Sequence, residues 1–130
     1  MKNEELTAQI IKAFFKVYNT LGYGFLEKVY ERAMVIELEE MGFEVENQKR
    51  VLVYYKGHIV GNYSADLMVE DTVVCELKSS ESLVADNEDQ LINYLKATTK
   101  ETGLLLNFGK KPQIKRKVYD NDKKEWYKTK

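Results

Sequence analysis

The feature that most constrains this chain is a change of hydrophobic period at Gly42. Before it, apolar residues recur every three or four positions; after it, they alternate or run together. Leu6, Ile10, Phe14, Val17 and Leu21 form one apolar stripe, which predicts a helix from roughly Asn3 to Thr20. Gly22-Tyr23-Gly24 breaks it. A second helix is expected from about Phe25 to Met41, with Leu26, Val29, Ala33, Met34, Leu38 and Met41 facing inward and Gly42 as its stop. Beyond Gly42 the pattern predicts strands over Glu44 to Tyr55, His58 to Val69 and Val73 to Lys78, separated by Lys56-Gly57 and Glu70-Asp71-Thr72. Ser79 to Val84 reads as a loop. A third helix is expected over Asp86 to Thr99, with Leu91, Ile92, Leu95 and Thr98 inward. Short strands follow at Leu104 to Phe108 and Ile114 to Tyr119. Two helices, three strands, a helix and two strands make an α/β chain of the mixed α+β kind.

At 130 residues and 44% hydrophobic, residues 1–130 are expected to form a single domain with a sizeable core. No apolar run approaches the roughly 20 residues of a membrane helix. Met1-Lys2-Asn3-Glu4-Glu5 lacks the basic-then-apolar order of a signal peptide, so the expected location is cytoplasmic. One cysteine, Cys75, and one histidine, His58, exclude an internal disulfide and a thiolate or imidazole zinc cluster. Cys75 reads as a small core residue and His58 as a solvated residue beside a turn. Any metal would be held by oxygen, which points to Mg²⁺ or Mn²⁺.

The net charge of −1 hides an asymmetry. Lys110 to Lys130 holds nine Lys/Arg and three Asp/Glu, a net of +6, leaving −7 on Met1 to Gly109. A basic C-terminal segment, 110–130, on an acidic body offers phosphate an electrostatic foothold through Lys110, Lys111, Lys115, Arg116 and Lys117. A solvated terminal segment is the plainer reading.

The second and third strands carry the chemistry. A turn centred on Asp71 pairs Val69 with Val73, which sets Asp66 opposite Glu76 and Ser64 opposite Lys78. Residues two apart share a face. Asp66, Glu76, Lys78 and Ser64 then emerge together, while Ala65, Leu67, Cys75 and Leu77 face the core. Directly opposed carboxylates repel, and a divalent cation between them removes the conflict. Lys78 can stabilise charge developing on a phosphate or orient water. An exposed polar face with a chance acid pair is the alternative on spacing alone.

Asp66, nine intervening residues, then Glu76-Leu77-Lys78 resembles the signature of the PD-(D/E)XK nuclease superfamily, with Ala65 where a proline often stands. Gly24-Phe25-Leu26-Glu27-Lys28-Val29-Tyr30 resembles the motif of its GxxExxY group. The resemblance spans about Phe14 to Tyr119. It implies a restriction-endonuclease-like core, a central mixed β-sheet flanked by helices. It also implies Asp66, Glu76 and Glu27 at the metal and Lys78 as the catalytic lysine. Asp86 to Leu95 resembles the helix that follows the catalytic strand in RecB-like nucleases, where a glutamine and a tyrosine one turn apart line the site; Gln90 and Tyr94 match them. Each residue has a plainer role: Glu27 suits a helix N-terminus, Tyr30 suits the core, and Gln90 and Tyr94 could cap a core edge.

The expected function is therefore metal-dependent hydrolysis of phosphodiester bonds in nucleic acid, with DNA as the substrate the resemblance implies. Asp66 and Glu76 hold the ion, Lys78 acts on the phosphate, Glu27 tunes the site, and Ser64, Gln90 and Tyr94 contact substrate or ordered water. A homodimer would suit cleavage of both strands. The alternatives are a catalytically weak or inactive nucleic-acid- or protein-binding module on the same fold, and a small regulatory protein with an acidic face.

Overall fold

A computed structural model describes residues 3–128. Met1 and Lys2, on which part of the N-terminal reading rests, and Thr129 and Lys130, the end of the basic segment, lie outside the described residues. The elements in order are α1 (Glu4–Leu21), α2 (Glu27–Glu40), β1 (Val45–Tyr55), β2 (His58–Val69), β3 (Val73–Lys78), α3 (Ala85–Ala97), β4 (Thr102–Phe108), β5 (Pro112–Val118), a 3₁₀ turn (Asn121–Lys123) and α4 (Glu125–Lys128). The strands form one mixed sheet in the order β1-β2-β3-β4-β5. Only β3 and β4 run parallel, and α3 makes the crossover between them.

The sheet is covered on both faces. On one side Ile10, Phe14 and Val17 of α1 and Tyr30, Met34 and Leu38 of α2 pack on Leu67, Val69, Val73, Cys75, Leu77, Leu104, Leu106 and Phe108. On the other, Leu91, Tyr94 and Leu95 of α3 pack on Ala65, Met68, Val74 and Leu105. This doubly covered centre explains why β3 and β4 read as continuous apolar runs and not as alternation. Cys75 is fully buried, and burial pushes its thiol pKa up.

The α1 stripe faces inward as its spacing requires. The inner face of α2 is rotated from the expected one: Leu26 and Val29 are exposed, and Tyr30 and Glu31 are buried. The Tyr30 ring decides this, stacking on Phe108 at 4.3 Å between centroids and 12° between planes. Its hydroxyl donates to the Gly22 carbonyl at 2.6 Å and accepts from the Phe25 amide at 3.2 Å, which pins the turn before α2. That turn uses positive φ at Gly22 (70°) and Gly24 (109°), where a side chain would be strained.

The basic segment is built into the fold. Lys115, Arg116 and Lys117 lie in β5, paired with Leu105, Leu104 and Gly103 of β4. Lys124 is fully buried and donates to the Thr98 carbonyl, the Lys100 carbonyl and Asn121 Oδ1 at 2.7, 2.8 and 2.7 Å, clasping the chain beyond α3.

Leu91 of α3 packs tightly over Gly103 of β4. A Cβ there would meet Leu91 Cδ1 at 2.6 Å. Gly103→Ala is therefore expected to cost about 1–3 kcal/mol through overpacking, measured as a lower denaturant midpoint. A neutral result would show that α3 can shift without loss.

Candidate active site

The site forms where β2 and β3 part. Their ladder holds Val69–Val73, Met68–Val74 and Leu67–Cys75, the register expected from a turn centred on Asp71. It ends there. The Leu77 amide is taken instead by the Asp66 carboxylate, which accepts it through Oδ2 at 2.7 Å. The Asp66 side chain thus reaches across the fork to β3, which fixes one oxygen and holds the carboxyl beside that of Glu76.

The pleat of β2 also changes here. Ala65 packs under α3 while Leu67 packs under α1 and α2, where strict alternation puts both on one face. The reason lies in the neighbouring strand. Gln48 of β1 has φ of 48°, and Gln48 and Asp66 drop out of the ladder between the pairs Asn47–Leu67 and Lys49–Ala65. A left-handed residue inside a strand breaks the alternation and turns the ribbon.

Glu76 is 9% exposed and faces α3, as Val74 does. Its pKa is pushed up to about 8, first by burial, then by the Asp66 charge; Lys78 pulls the other way, and hydrogen bonding between the two carboxyls adds to the rise. The pair therefore holds a proton near neutrality. Lys78 is half-buried at the end of β3. Sequence spacing thus located Asp66, Glu76 and Lys78 together, and the structure brings them together.

The other expected residues are placed differently. Ser64 does not oppose Lys78; it pairs with Arg50 and donates its hydroxyl to Gln48 Oε1 at 3.1 Å, because the β2–β3 ladder stops short of it. Tyr94 is buried beneath the site and donates to the Lys49 carbonyl at 3.0 Å. Burial, then the charge of Glu76, pushes its pKa up to about 12. Gln90, one turn earlier, is exposed. Glu27 is exposed in the first turn of α2 and lines a depression with Ser79, Ser80, Glu81 and Lys110. It makes no hydrogen bond or ion pair among the described residues, and no three of His, Cys, Asp and Glu among them gather as a metal cluster.

The lysines and arginine of the basic segment do not form one patch. Lys110 and Lys111 lie exposed at the β4–β5 turn. Lys117 bridges to Glu88 of α3, with Lys115 close enough to help lower the Glu88 pKa. Arg116 pairs with Leu104, whose side chain belongs to the opposite face.

Residues without a sequence signal complete the site. Gln48 Nε2 donates to Glu31 Oε1 at 2.9 Å and lies 3.3 Å from Asp66 Oδ1. Glu31 is 7% exposed and also receives Asn47 Nδ2 at 3.1 Å and Lys28 Nζ at 3.5 Å. The link from α2 to the acid pair therefore runs through Glu31 and Gln48. Only the rotation of α2 reveals it, and periodicity had placed that face one residue away. On the far side, buried Asn107 accepts from the Ser80 amide at 3.0 Å and donates to its carbonyl at 2.9 Å, holding the loop that follows Lys78. Gly109 lets that loop approach, since a Cβ there would collide with the Ser80 carbonyl oxygen.

A five-stranded mixed sheet flanked by helices, with an acid pair at its fork, is a restriction-endonuclease-like fold. Residues 4–117 match the PD-(D/E)XK nuclease superfamily, and the chain belongs to it. Among solved structures, that of SSO0001 is similar at 15% identity, with a TM-score of 0.48, over 92% of this chain and 81% of that one. No curated protein matches. Among the described residues no helix is long and apolar enough to cross a membrane.

The raised Glu76 pKa has a consequence for stability. Between about 4.5 and about 8 the native state keeps a proton that the unfolded state has lost. This contribution is full below the lower value and is lost as pH rises through the interval. With chelator present, unfolding by denaturant should show the parent losing stability across that range relative to Glu76→Gln, which cannot ionise. Parallel pH profiles would place the proton elsewhere.

Proposed function

We propose that this chain is a Mg²⁺- or Mn²⁺-dependent nuclease of the GxxExxY group that hydrolyses phosphodiester bonds in DNA, on a single nuclease-like domain. The observation that carries this is the Asp66–Glu76 pair: two carboxyls forced together beside Lys78, one of them holding a proton near neutrality. A divalent cation can replace that proton, and the donors are all oxygen, as Mg²⁺ and Mn²⁺ prefer. Membership of the superfamily supports the same reading.

In this proposal Asp66 and Glu76 hold the ion. When bound, the ion would draw electron density from the phosphate and acidify nearby water. The Leu77 amide holds Asp66 in place, and Gln48 and Glu31 orient its free oxygen. The Lys78 ammonium neutralises charge that grows on the phosphate oxygens during attack. Tyr94 supports Glu76 from below, and Ser64 acts through Gln48. Glu27 serves as an outer acid on the rim. The motif's Gly24 and Tyr30 shape the turn, while Glu27 stands in the first turn of α2. Gln90, Lys110, Lys111 and Lys115 are exposed polar groups that substrate can reach.

The position of Glu27 favours a second reading. With no third carboxylate at the pair among the described residues, a binding module that cuts slowly or not at all would keep the same geometry.

The two readings part at Lys78. Lys78→Ala is expected to keep Mn²⁺ binding, measured by calorimetry, and to lose cleavage by on the order of 10²-fold or more. Asp66→Ala and Glu76→Ala should lose both. Glu27→Gln and Glu31→Gln compare the two helix acids, and the one that supports the ion will show the weaker Mn²⁺ affinity. A parent inactive on single- and double-stranded substrates with either ion, yet able to bind them, would leave the binding module.

A further inference from the structure

The β1–β2 hairpin runs on past the fork without a third strand, since only Leu67 to Val69 of β2 pair with β3. From Asn47 to Ala65 this ribbon contains no Asp or Glu, in a chain with 21 of them. It carries Lys49, Arg50 and Lys56, together with Tyr54, Tyr55 and Tyr63. Tyr54 and Tyr55 are 60% and 63% exposed.

Between this ribbon and α3 lies a groove of about 480 Å³, lined in part by Tyr54, Tyr63, Asn93, Lys96 and Trp126, with no carboxylate in its lining. Trp126 is fixed there by donating its indole N–H to the Lys96 carbonyl at 2.6 Å. Lys49 is engaged by Glu46 at 3.0 Å. Arg50, Lys56 and Lys96 have no acidic partner among the described residues, in contrast to Lys16, Lys28, Lys100 and Lys117. The groove and Glu76 lie on the α3 side of the sheet. Tyr63 stands three residues before Asp66, roughly 10 Å along the strand, or about three nucleotides of a stacked strand.

We propose that this groove is a binding track for single-stranded nucleic acid leading to the acid pair. Bases stack on Tyr54, Tyr63 and Trp126, and phosphates meet Lys96 in the groove and Lys56 at the hairpin tip. Aromatic faces accept any base, and unpaired cations beside them supply the backbone contact. This rests on the nuclease reading for the identity of the polymer, and it adds the strandedness and the residues that hold it. The lack of acids attracts a polyanion, and the aromatic faces of Tyr54, Tyr63 and Trp126 beside Lys96 favour one that carries flat bases over a second copy of this chain.

Trp126 is the chain's one tryptophan, so its fluorescence reports directly on the groove. The full chain, in chelator, is titrated with an oligothymidylate on the order of ten nucleotides long, enough to span groove and acid pair together. Expected are quenching of Trp126, and an affinity that weakens by on the order of tenfold in Tyr54→Ala while Tyr54→Phe retains it. Tyr54 is exposed, so its truncation spares the core. The log–log salt slope should be about −1.4 for two phosphate contacts, and shallower in Lys96→Gln. A matching duplex should bind more weakly and quench less.

Unchanged affinity in Tyr54→Ala, no quenching, or equal quenching by duplex would overturn the track. So would self-association of the parent that Tyr54→Ala abolishes, which would assign the ribbon to a second copy. Because binding is read without metal, a parent that binds and quenches but never cuts would sink the nuclease reading alone. A parent that cuts while Tyr54→Ala binds normally would sink the track alone.

Discussion

The Leu77 amide loses its ladder partner where β2 and β3 diverge, and a buried amide without a partner is costly. Asp66 answers it with a carboxylate oxygen at 2.7 Å. That bond sets the rest of the site. It lets the fork open while β3 continues three residues further as an otherwise regular strand beside β4, as far as Lys78 and Asn107. It also draws the Asp66 carboxylate towards Glu76, so the repulsion within the pair follows from the backbone requirement. A carboxylate already committed to a backbone donor cannot swing away from its neighbour. The strain falls on Glu76, whose proton relieves it in the absence of a cation.

The second support is Gln48. A non-glycine residue at φ 48° inside a strand costs free energy that something must offset. Its side-chain amide spans Glu31, Asp66 and Ser64 and so joins α2, β1 and β2 around the free oxygen of Asp66. Glu31 is held in turn by Asn47 and Lys28. The buried acid of α2 is thus satisfied by hydrogen bonds, and its charge stands one amide away from the acid pair. The twist at Gln48 also sends the distal ribbon over α3, which is how an edge hairpin comes to form one wall of a groove.

Much of this architecture was legible because the relevant patterns are local. The β2–β3 register follows from the turn at Glu70-Asp71, both at positive φ, and the spacing of Asp66, Glu76 and Lys78 then places the chemistry. What could not be read depends on tertiary contacts. The inner face of α2 turned on the stacking of Tyr30 against Phe108, and with it the burial of Glu31. Ser64 opposite Lys78 was a sound extension of the ladder, but the ladder ended to free Asp66. Gln48 lies among polar residues that look like an ordinary exposed strand. The basic residues after Gly109 read as a terminal foothold because charge counts carry no direction. Strand alternation divides them between two faces, and Lys124 is consumed in holding carbonyls.

Charge placement then separates the two faces of the molecule. The α1–α2 side buries aromatic and aliphatic side chains against Phe108 and Leu106 and presents Glu4, Glu5, Glu27, Glu39 and Glu40 to solvent. Those acids would repel a phosphate backbone. On the α3 side, the body's acids are partly neutralised: Glu88 by Lys117, Asp71 by Lys100 and Glu46 by Lys49. Cations without an acidic partner among the described residues lie along the acid-free ribbon and at Lys96, and also at Lys110, Lys111 and Lys115 of the C-terminal segment. On the proposed track a polyanion meets Lys96 on the side where Glu76 faces. A net charge of −1 is compatible with that approach because the field that matters is local, set within a Debye length of about 8–10 Å.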